Sequence, residues 1–507
     1  MRARKTDPEL PILLPFQPGP VSNGEFVPPA PTRAHRMIAA LAMERAEEIA
    51  RKQRVDRRRF LAGLGGLAVT LGAVNFVACR GDDDKEVRPG GTFAVPTEPD
   101  PEAVCELLDG EEFIFDIQTH HVTPEGPWVQ TNPGMAAFLQ NVPDPGCSES
   151  DRVECASRYY YLKDIFLDSD TTMGVLSDTP APTDNVDPLT FEESRRTHEI
   201  IDRLSAGGAS RLLLHSIVMP NVGRIEDQLD LMQARAETTD VAAWKVYTPY
   251  AGTTGQGWFL DDEQYGIPMI EKARETGVKM ICTHKGLPLF GFDPSYASPR
   301  DIGVVAKAYP DMQFVVYHSG WDPMNAGAEG PYDAANAVGV NALIKSLEDN
   351  DIEPNSNVWA ELGSTWRGVM SNPTQAAHVL GKLLKYVGED RVVWGTDSIW
   401  YGGPQPQIVA FRAFQIDPEL AQEHGYPELT PDLKARVFGL NAAKLYGVDA
   451  EAQRCALDTD ELERLRSAYH ELDPRSHEMV WAPRGPVSRR DMFRWFMERG
   501  GRWSPYR

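Results

Sequence analysis

Seven polar residues stand where apolar runs of the sequence end. They are Asp116, Gln118 and His120 in Phe-Asp-Ile-Gln-Thr-His, His284 after Met-Ile-Cys-Thr, His318 after Phe-Val-Val-Tyr, Glu361 after Val-Trp-Ala, and Asp397 after Val-Val-Trp-Gly-Thr. Imidazoles and carboxylates ligate divalent cations and exchange protons near neutral pH. A cation so held can activate water or polarise a carbonyl group. Alternate residues of a strand share a face, so Asp116, Gln118 and His120 are expected to point the same way. A single His at a strand end is more often a hydrogen-bonded structural residue. Several, each closing a different apolar run, favour a site. His121 alternates off that face and His215 lies mid-run beside Ser216, so both read as structural.

The elements that would carry these residues alternate regularly. Strand-like runs fall at 113–118, 172–176, 211–218, 242–247, 278–283, 313–317, 357–362 and 392–396. They are short, mostly rich in Val, Ile, Leu, Phe or Tyr, and bounded by Gly, Pro, Asn or Asp, as buried parallel strands should be. Helical patterns occupy 192–205, 225–236, 262–276, 299–309, 334–347 and 374–387, with a terminal helix near 431–446. Eight such alternations without a Gly-rich dinucleotide fingerprint after the first strand predict a (β/α)8 TIM barrel of the α/β class. In that fold, side chains at the carboxyl ends of strands enter the active site. The layout is a leader at 1–80, a linker at 81–110, the barrel at 111–450 and a C-terminal extension at 451–507. A long insertion, 121–170, follows the first strand as a natural lid.

The pattern resembles the amidohydrolase superfamily, and within it the branch containing aminocarboxymuconate-semialdehyde decarboxylase, over roughly residues 110–450. The resemblance implies a metal-dependent barrel enzyme with ligands after strands one, five, six and eight. Here those positions are Gln118 with His120, His284 in Ile-Cys-Thr-His-Lys-Gly, His318 in Phe-Val-Val-Tyr-His-Ser-Gly, and Asp397 in Trp-Gly-Thr-Asp-Ser. Gln118 replaces the usual first ligand, and a carboxamide is the weaker, neutral donor. The implied inner shell is His120, His284 and Asp397, three protein ligands as a catalytic zinc requires, with manganese the other candidate. Gln118 either joins them or hydrogen-bonds the bound water. His318 is read as a second ligand or as a polarising acid.

Binuclear members of that superfamily bridge two metals with a carbamylated Lys after strand four, where this chain has Lys245. Lys245 can equally bind a substrate carboxylate or pair with Glu361, and Arg367 is a further substrate-contact candidate. The expected chemistry is attack of metal-activated water on an ester, lactone or amide, with Asp397 accepting the proton and His318 polarising the scissile group. A second reading is non-oxidative decarboxylation of an aromatic or unsaturated acid. A third is a surface-anchored binding protein whose metal site has decayed. Trp128, Trp258, Trp321, Trp366 and Trp400 fall in or near strand-end loops and could wall an aromatic pocket.

The leader has a different character. Residues 1–80 hold 13 Lys or Arg against seven Asp or Glu, leaving −29 on the remainder of a chain whose net charge is −23. Such an acidic body disfavours nucleic acid as a partner. Asp56-Arg57-Arg58-Arg59-Phe60-Leu61 resembles a twin-arginine export signal. Uncharged residues up to Ala78 follow, then Cys79 in the lipobox-like Phe-Val-Ala-Cys. An uncleaved membrane anchor is the alternative. The expectation is export by the twin-arginine route and a lipid anchor at Cys79. The partners are a small-molecule substrate and the membrane, with homo-oligomers open. Pro-rich residues 8–31 are expected to be disordered. Cys147 and Cys155 lie close enough to pair, and Cys282 reads as a core residue.

Overall fold

The computed structural model describes residues 14–23, 26–80, 87–96, 104, 110–141, 149, 151–205, 210–287, 292–457, 460–472 and 490. After a short strand β1 (Gly91–Phe93) come eight barrel strands: β2 (Phe115–Thr119), β3 (Met173–Leu176), β4 (Leu212–Ile217), β5 (Val241–Tyr247), β6 (Met280–His284), β7 (Gln313–Tyr317), β8 (Val358–Glu361) and β9 (Val392–Val393). They are parallel and pair in chain order, each with the next. The (β/α)8 expectation holds, and each expected strand is present. Every residue of β2, β3, β6 and β8 is buried; β3 is accordingly without polar side chains, β6 and β8 are apolar up to their polar carboxyl ends, and β2 alternates, its Asp116 and Gln118 buried at the site.

The ring closes through the backbone beyond β9. Ile117 N donates to Trp394 O at 3.1 Å, Asp397 N to Gln118 O at 3.0 Å, and His120 N to Ser398 O at 2.6 Å. Asp116 reinforces this seam: its Oδ1 accepts from Thr396 N at 3.0 Å and Gln118 N at 3.1 Å, while its Oδ2 accepts from Thr396 Oγ1. An apolar cluster of Phe115, Ile117, Val175, Ala243, Cys282, Val315, Tyr317, Trp359 and Val393 joins Ala442 and Ala443 of the terminal helix. Cys282 is therefore a core residue.

Helices bridge the strands close to the expected positions. The helix expected at 334–347 starts only at Val340, because Gly339 turns at φ 63°. The terminal helix is interrupted by a π turn at Arg436–Leu440. In the insertion, Trp128, Val153, Tyr161, Ile165 and Phe166 pack against Leu212, Leu214, Ile399 and Trp400, so the described part is a packed side wall. Cys155 is disulfide-bonded, and Cys147 lies outside the described residues. The C-terminal helix Glu461–Leu472 is pinned by Arg211, buried, with Nη1 3.1 Å from Asp460 and 2.9 Å from Glu463. Most of the Arg- and Trp-rich tail beyond it lies outside the described residues.

The leader and linker join the same body. Helix α1 (Arg33–Gln53) buries Ile38, Ala42, Ala46 and Ala50, one stripe at four-residue spacing. A short helix α2 (Arg57–Leu61) leads into α3 (Leu64–Ala78), which packs on α1, on β1 and on helix Pro373–Tyr386. Strand β1 pairs antiparallel with β10 (Phe414–Ile416). No described helix is long and apolar enough to cross a membrane. The expected disorder of residues 8–31 does not hold where the chain is described: Leu14, Phe16, Val21, Ser22, Asn23 and Phe26 are buried. Low overall hydropathy hid a segment in which Leu14, Phe16, Val21 and Phe26 are buried, and whose prolines leave little backbone entropy to lose.

Burial raises the Asp116 carboxyl to about 7, against the opposing pull of its hydrogen bonds from Thr396 and Gln118. Its folded value exceeds the unfolded one, so the fold retains the proton more tightly. Stability from this group is full below about pH 4 and is lost as the pH rises toward 7. Wild type is expected to lose more stability between pH 5 and 8 than Asp116→Asn does, by on the order of 3 kcal/mol. Urea midpoints at the two pH values measure it, and parallel losses would rule the group out.

Candidate metal centre at the barrel mouth

Because β2 and the chain after β9 are zipped together, Asp397 lies beside Gln118 and His120. Asp397 Oδ1 is 3.2 Å from His120 Nε2 and accepts from Gln118 Nε2 at 2.9 Å. Its Oδ2 accepts from Ser364 Oγ at 2.6 Å and from Asn23 Nδ2 at 2.7 Å. The carboxylate thus presents one oxygen to the expected ligands and the other to the mouth. Burial pushes Asp397 upward, but the His120 contact, the charges that His318 and His120 carry when protonated, and the Ser364 hydroxyl outweigh it and hold the carboxyl well below its usual range.

Each imidazole is fixed from behind by a backbone carbonyl, which can only accept. His120 Nδ1 lies 2.7 Å from Ser177 O, His318 Nδ1 2.8 Å from Gly363 O, and His284 Nε2 3.0 Å from Leu287 O. Those nitrogens therefore carry hydrogen, and in a neutral ring the other nitrogen presents its lone pair. His284 Nδ1 and His318 Nε2 face each other at 3.1 Å. Burial lowers His318 to about 4 and His284 well below the ordinary imidazole value. Near neutral pH these are two lone pairs turned on one another, an arrangement that a shared cation or proton reconciles.

The donors stand as two neighbouring groups, Asp397 with His120 and Gln118, and His284 with His318. The groups are close enough for the Asp397 charge to raise His318. Among the described residues no three His, Cys, Asp or Glu side chains are gathered as a ready metal cluster. Donor type and tautomer nevertheless fit a divalent cation, and Gln118 Oε1 is a buried acceptor with no hydrogen-bond partner. With Nδ1 on the Gly363 carbonyl, His318 Nε2 is the nitrogen turned into the site, a ligand when bare and a polarising acid when it carries the shared proton.

The remaining candidates take different places. Glu361 directs Oε2 to His318 N at 2.9 Å and Oε1 to Gly363 N, bracing the backbone of the site, and burial raises it to about 8. A Cβ at Gly395 would lie 1.7 Å from Glu361 Oε1, so only glycine fits there. Lys245 Nζ lies 3.2 Å from the centre of the Tyr317 ring, a cation–π contact deep in the barrel. Arg367 is buried, donates from Nη2 to Gln17 O at 3.0 Å, and has no carboxylate partner among the described residues. Burial lowers it to about 10. Of the five tryptophans, Trp400 sits 5.6 Å from the His120 ring, and Trp321 packs edge-on against Phe26. Trp366 packs instead on Phe411 and Phe414, and Trp128 donates to Thr123 O. His121 bonds Thr197 Oγ1 and His215 bonds Tyr446, both as structural residues.

Sequence reasoning missed Ser364, Tyr401 and Asn23. Ser364 Oγ is 2.9 Å from Tyr401 OH as well as bonding Asp397. The Gly-Ser that follows the seventh expected strand was its only signal. His318, Ser364 and Asp397 have φ of 63°, 59° and 59°, a left-handed geometry that costs about 1–3 kcal/mol per residue and clusters at functional sites.

No protein with a curated description matches this chain. Among solved structures, an uncharacterised TIM-barrel protein from Bordetella bronchiseptica is similar at 13% identity, covering 66% of this chain and 98% of its own, with a TM-score of 0.42. A 5-carboxyvanillate decarboxylase from Sphingomonas paucimobilis is similar at 12% identity, covering 67% and 100%, with a TM-score of 0.40. A dihydroxybenzoic acid decarboxylase from Polaromonas, with bound manganese and an inhibitor, is similar at 14% identity, covering 66% and 97%, with a TM-score of 0.38. All three scores are under 0.5, and the reading of the site rests on its own residues. Residues 222–448 match the amidohydrolase family model, a stretch that carries His284, His318, Glu361 and Asp397 but ends short of Gln118 and His120.

Proposed function

We propose that this chain is a metal-dependent enzyme that hydrolyses an ester, lactone or amide of a small organic molecule. The observation that carries this is the set of three carbonyl-anchored imidazoles whose second nitrogens turn toward Asp397 or one another, around a carboxylate held ionised. His120, His284 and Asp397 would hold the cation, with Gln118 Oε1 and His318 Nε2 as further neutral donors. When bound, zinc or manganese supplies Lewis acidity that acidifies water and polarises a carbonyl oxygen. Asp397 Oδ2, on the mouth side, accepts the proton of the attacking water; Ser364 holds that oxygen in position, and Tyr401 in turn bonds the Ser364 hydroxyl. Trp400, tilted against His120, and Tyr247, stacked on His284, exclude bulk water and strengthen the electrostatics inside.

One observation favours the decarboxylase reading of the same site. The buried Arg367 guanidinium is suited to a substrate carboxylate. The same residue suits a hydrolytic substrate that carries an acid group. Arg367→Met is expected to raise KM for carboxylate substrates about tenfold relative to neutral esters, with a small change in kcat. Equal effects on both classes would remove the assignment.

For the leader, we propose the twin-arginine route, with Arg57 and Arg58 as the pair, and lipidation at Cys79, supported by the exposure of Arg58 and Cys79 and the partial exposure of Arg57. Labelled fatty acid should enter the wild type and not Cys79→Ser.

The enzymatic reading predicts near-stoichiometric zinc or manganese by elemental analysis. It also predicts turnover of at least one compound in an esterase, lactonase and decarboxylase panel. Asp397→Asn should lower kcat by about 10²–10⁴ with the fold intact. Full activity in that variant refutes the assigned base, and protein that binds no metal after supplementation supports a decayed binding site. Carbon dioxide release from an aromatic acid would select the second reaction.

A further inference from the structure

The barrel mouth is filled by a segment of the chain's own N-terminus. Residues 14–23 and 26–28 run over the site, and Leu14, Phe16, Val21, Ser22, Asn23, Phe26 and Pro28 are buried there. Ser22 Oγ bonds back to Phe26 O at 2.5 Å, which folds the segment into a turn. Beside that turn Asn23 Nδ2 donates to Asp397 Oδ2 at 2.7 Å and to Ser364 Oγ at 3.3 Å. Upstream, the Gln17 carbonyl accepts from Arg367. The Phe26 ring meets Trp321 edge-on, and Val27 packs on the cluster that contains Trp400.

These contacts fall on the two groups to which a substrate would bind. An amide N–H sits on the oxygen assigned to take the proton, and a carbonyl oxygen sits on the guanidinium suited to a carboxylate. The occupancy is specific in hydrogen bonding as well as in shape. It also joins partners 341 to 374 residues apart in the chain, so local folding of the leader does not create it. On its C-terminal side the segment is tethered to the body. Exposed Pro29 and Ala30 lead to the Thr32 cap of α1, and the whole of it precedes the arginine pair and Cys79.

We propose that residues 14–23 and 26–28 form an intramolecular plug, a pseudosubstrate that keeps the site closed while the leader is attached. Cleavage ahead of Cys79 removes its covalent tether. This rests on the reading of Asp397 as the reacting carboxylate. A tethered occupant competes at high effective concentration, so substrate binding is weakened in proportion to the closed fraction.

The test compares the full chain with Asn23→Asp, which sets a second carboxylate against Asp397, and with Asn23→Ala, which removes the hydrogen bonds without adding charge. Amide hydrogen exchange should show residues 14–23 protected in the wild type. Exchange there should be at least about tenfold faster in Asn23→Asp and intermediate in Asn23→Ala, with β2–β9 unchanged as the control for folding. Turnover of a panel substrate, below saturation, should rise by a similar factor, and a synthetic peptide of residues 12–31 should suppress it again. Free exchange of 14–23 in the wild type overturns the plug. So does release of the segment in a full chain that was already as active as the variant. Release with no turnover in any form, and Asp397→Asn equally silent, instead sinks the catalytic reading and leaves the docking of the segment established.

Discussion

The seam between the first and last barrel strands governs the site. Strand β9 contributes only Val392 and Val393 to the ladder, yet the five residues that follow are held against β2 by three backbone hydrogen bonds and by Asp116. Without that seam Asp397 would sit on a loose loop. With it, a carboxylate from the end of the barrel is fixed within hydrogen-bonding distance of side chains from its beginning. Gly395 lets the carboxylate of Glu361 pass against the backbone, and Glu361 in turn fixes the amide of His318. Backbone order on one side of the barrel thus becomes side-chain order across it.

The buried carboxylates show how environment divides the labour. Asp116 and Glu361 are raised by burial, and their hydrogen bonds only partly offset it, so both keep a proton at neutral or near-neutral pH. Asp397 is equally buried, but imidazoles and a hydroxyl converge on it and reverse the direction. Opposite displacement of carboxyl groups in one barrel is the signature by which structural acids and a reacting base are told apart. The imidazoles behave in parallel. A carbonyl behind each ring orients it, and burial disfavours the charged forms of His284 and His318, so one nitrogen of each is left to turn into the site.

Much of this was legible in the sequence. A parallel strand buried on both faces has to read as a short apolar run, so the eight strands and the polar residues that end them stood out. His120, His284, His318 and Asp397 were placed by that pattern together with the family resemblance. The orientation of the His318 ring was not legible, because it depends on a carbonyl 45 residues away. Ser364 gave only a Gly-Ser dipeptide as its sign. Asn23 gave none, since its partners lie more than 300 residues downstream. The Pro-rich composition around it pointed to disorder, which holds for a free chain but not for one whose apolar side chains meet a groove. Apolar α3 read as an export segment, and its packing on the barrel depends on neighbours that composition does not reveal.

The most direct test of the central claim is X-ray absorption at the metal edge of protein loaded with one equivalent of zinc. A shell of nitrogen and oxygen donors with scattering from two or more imidazole rings, lost in part in His284→Ala, is the result predicted. A shell without imidazole scattering, or one unchanged by removing His120 or His284, would contradict the assignment of these residues to a common cation.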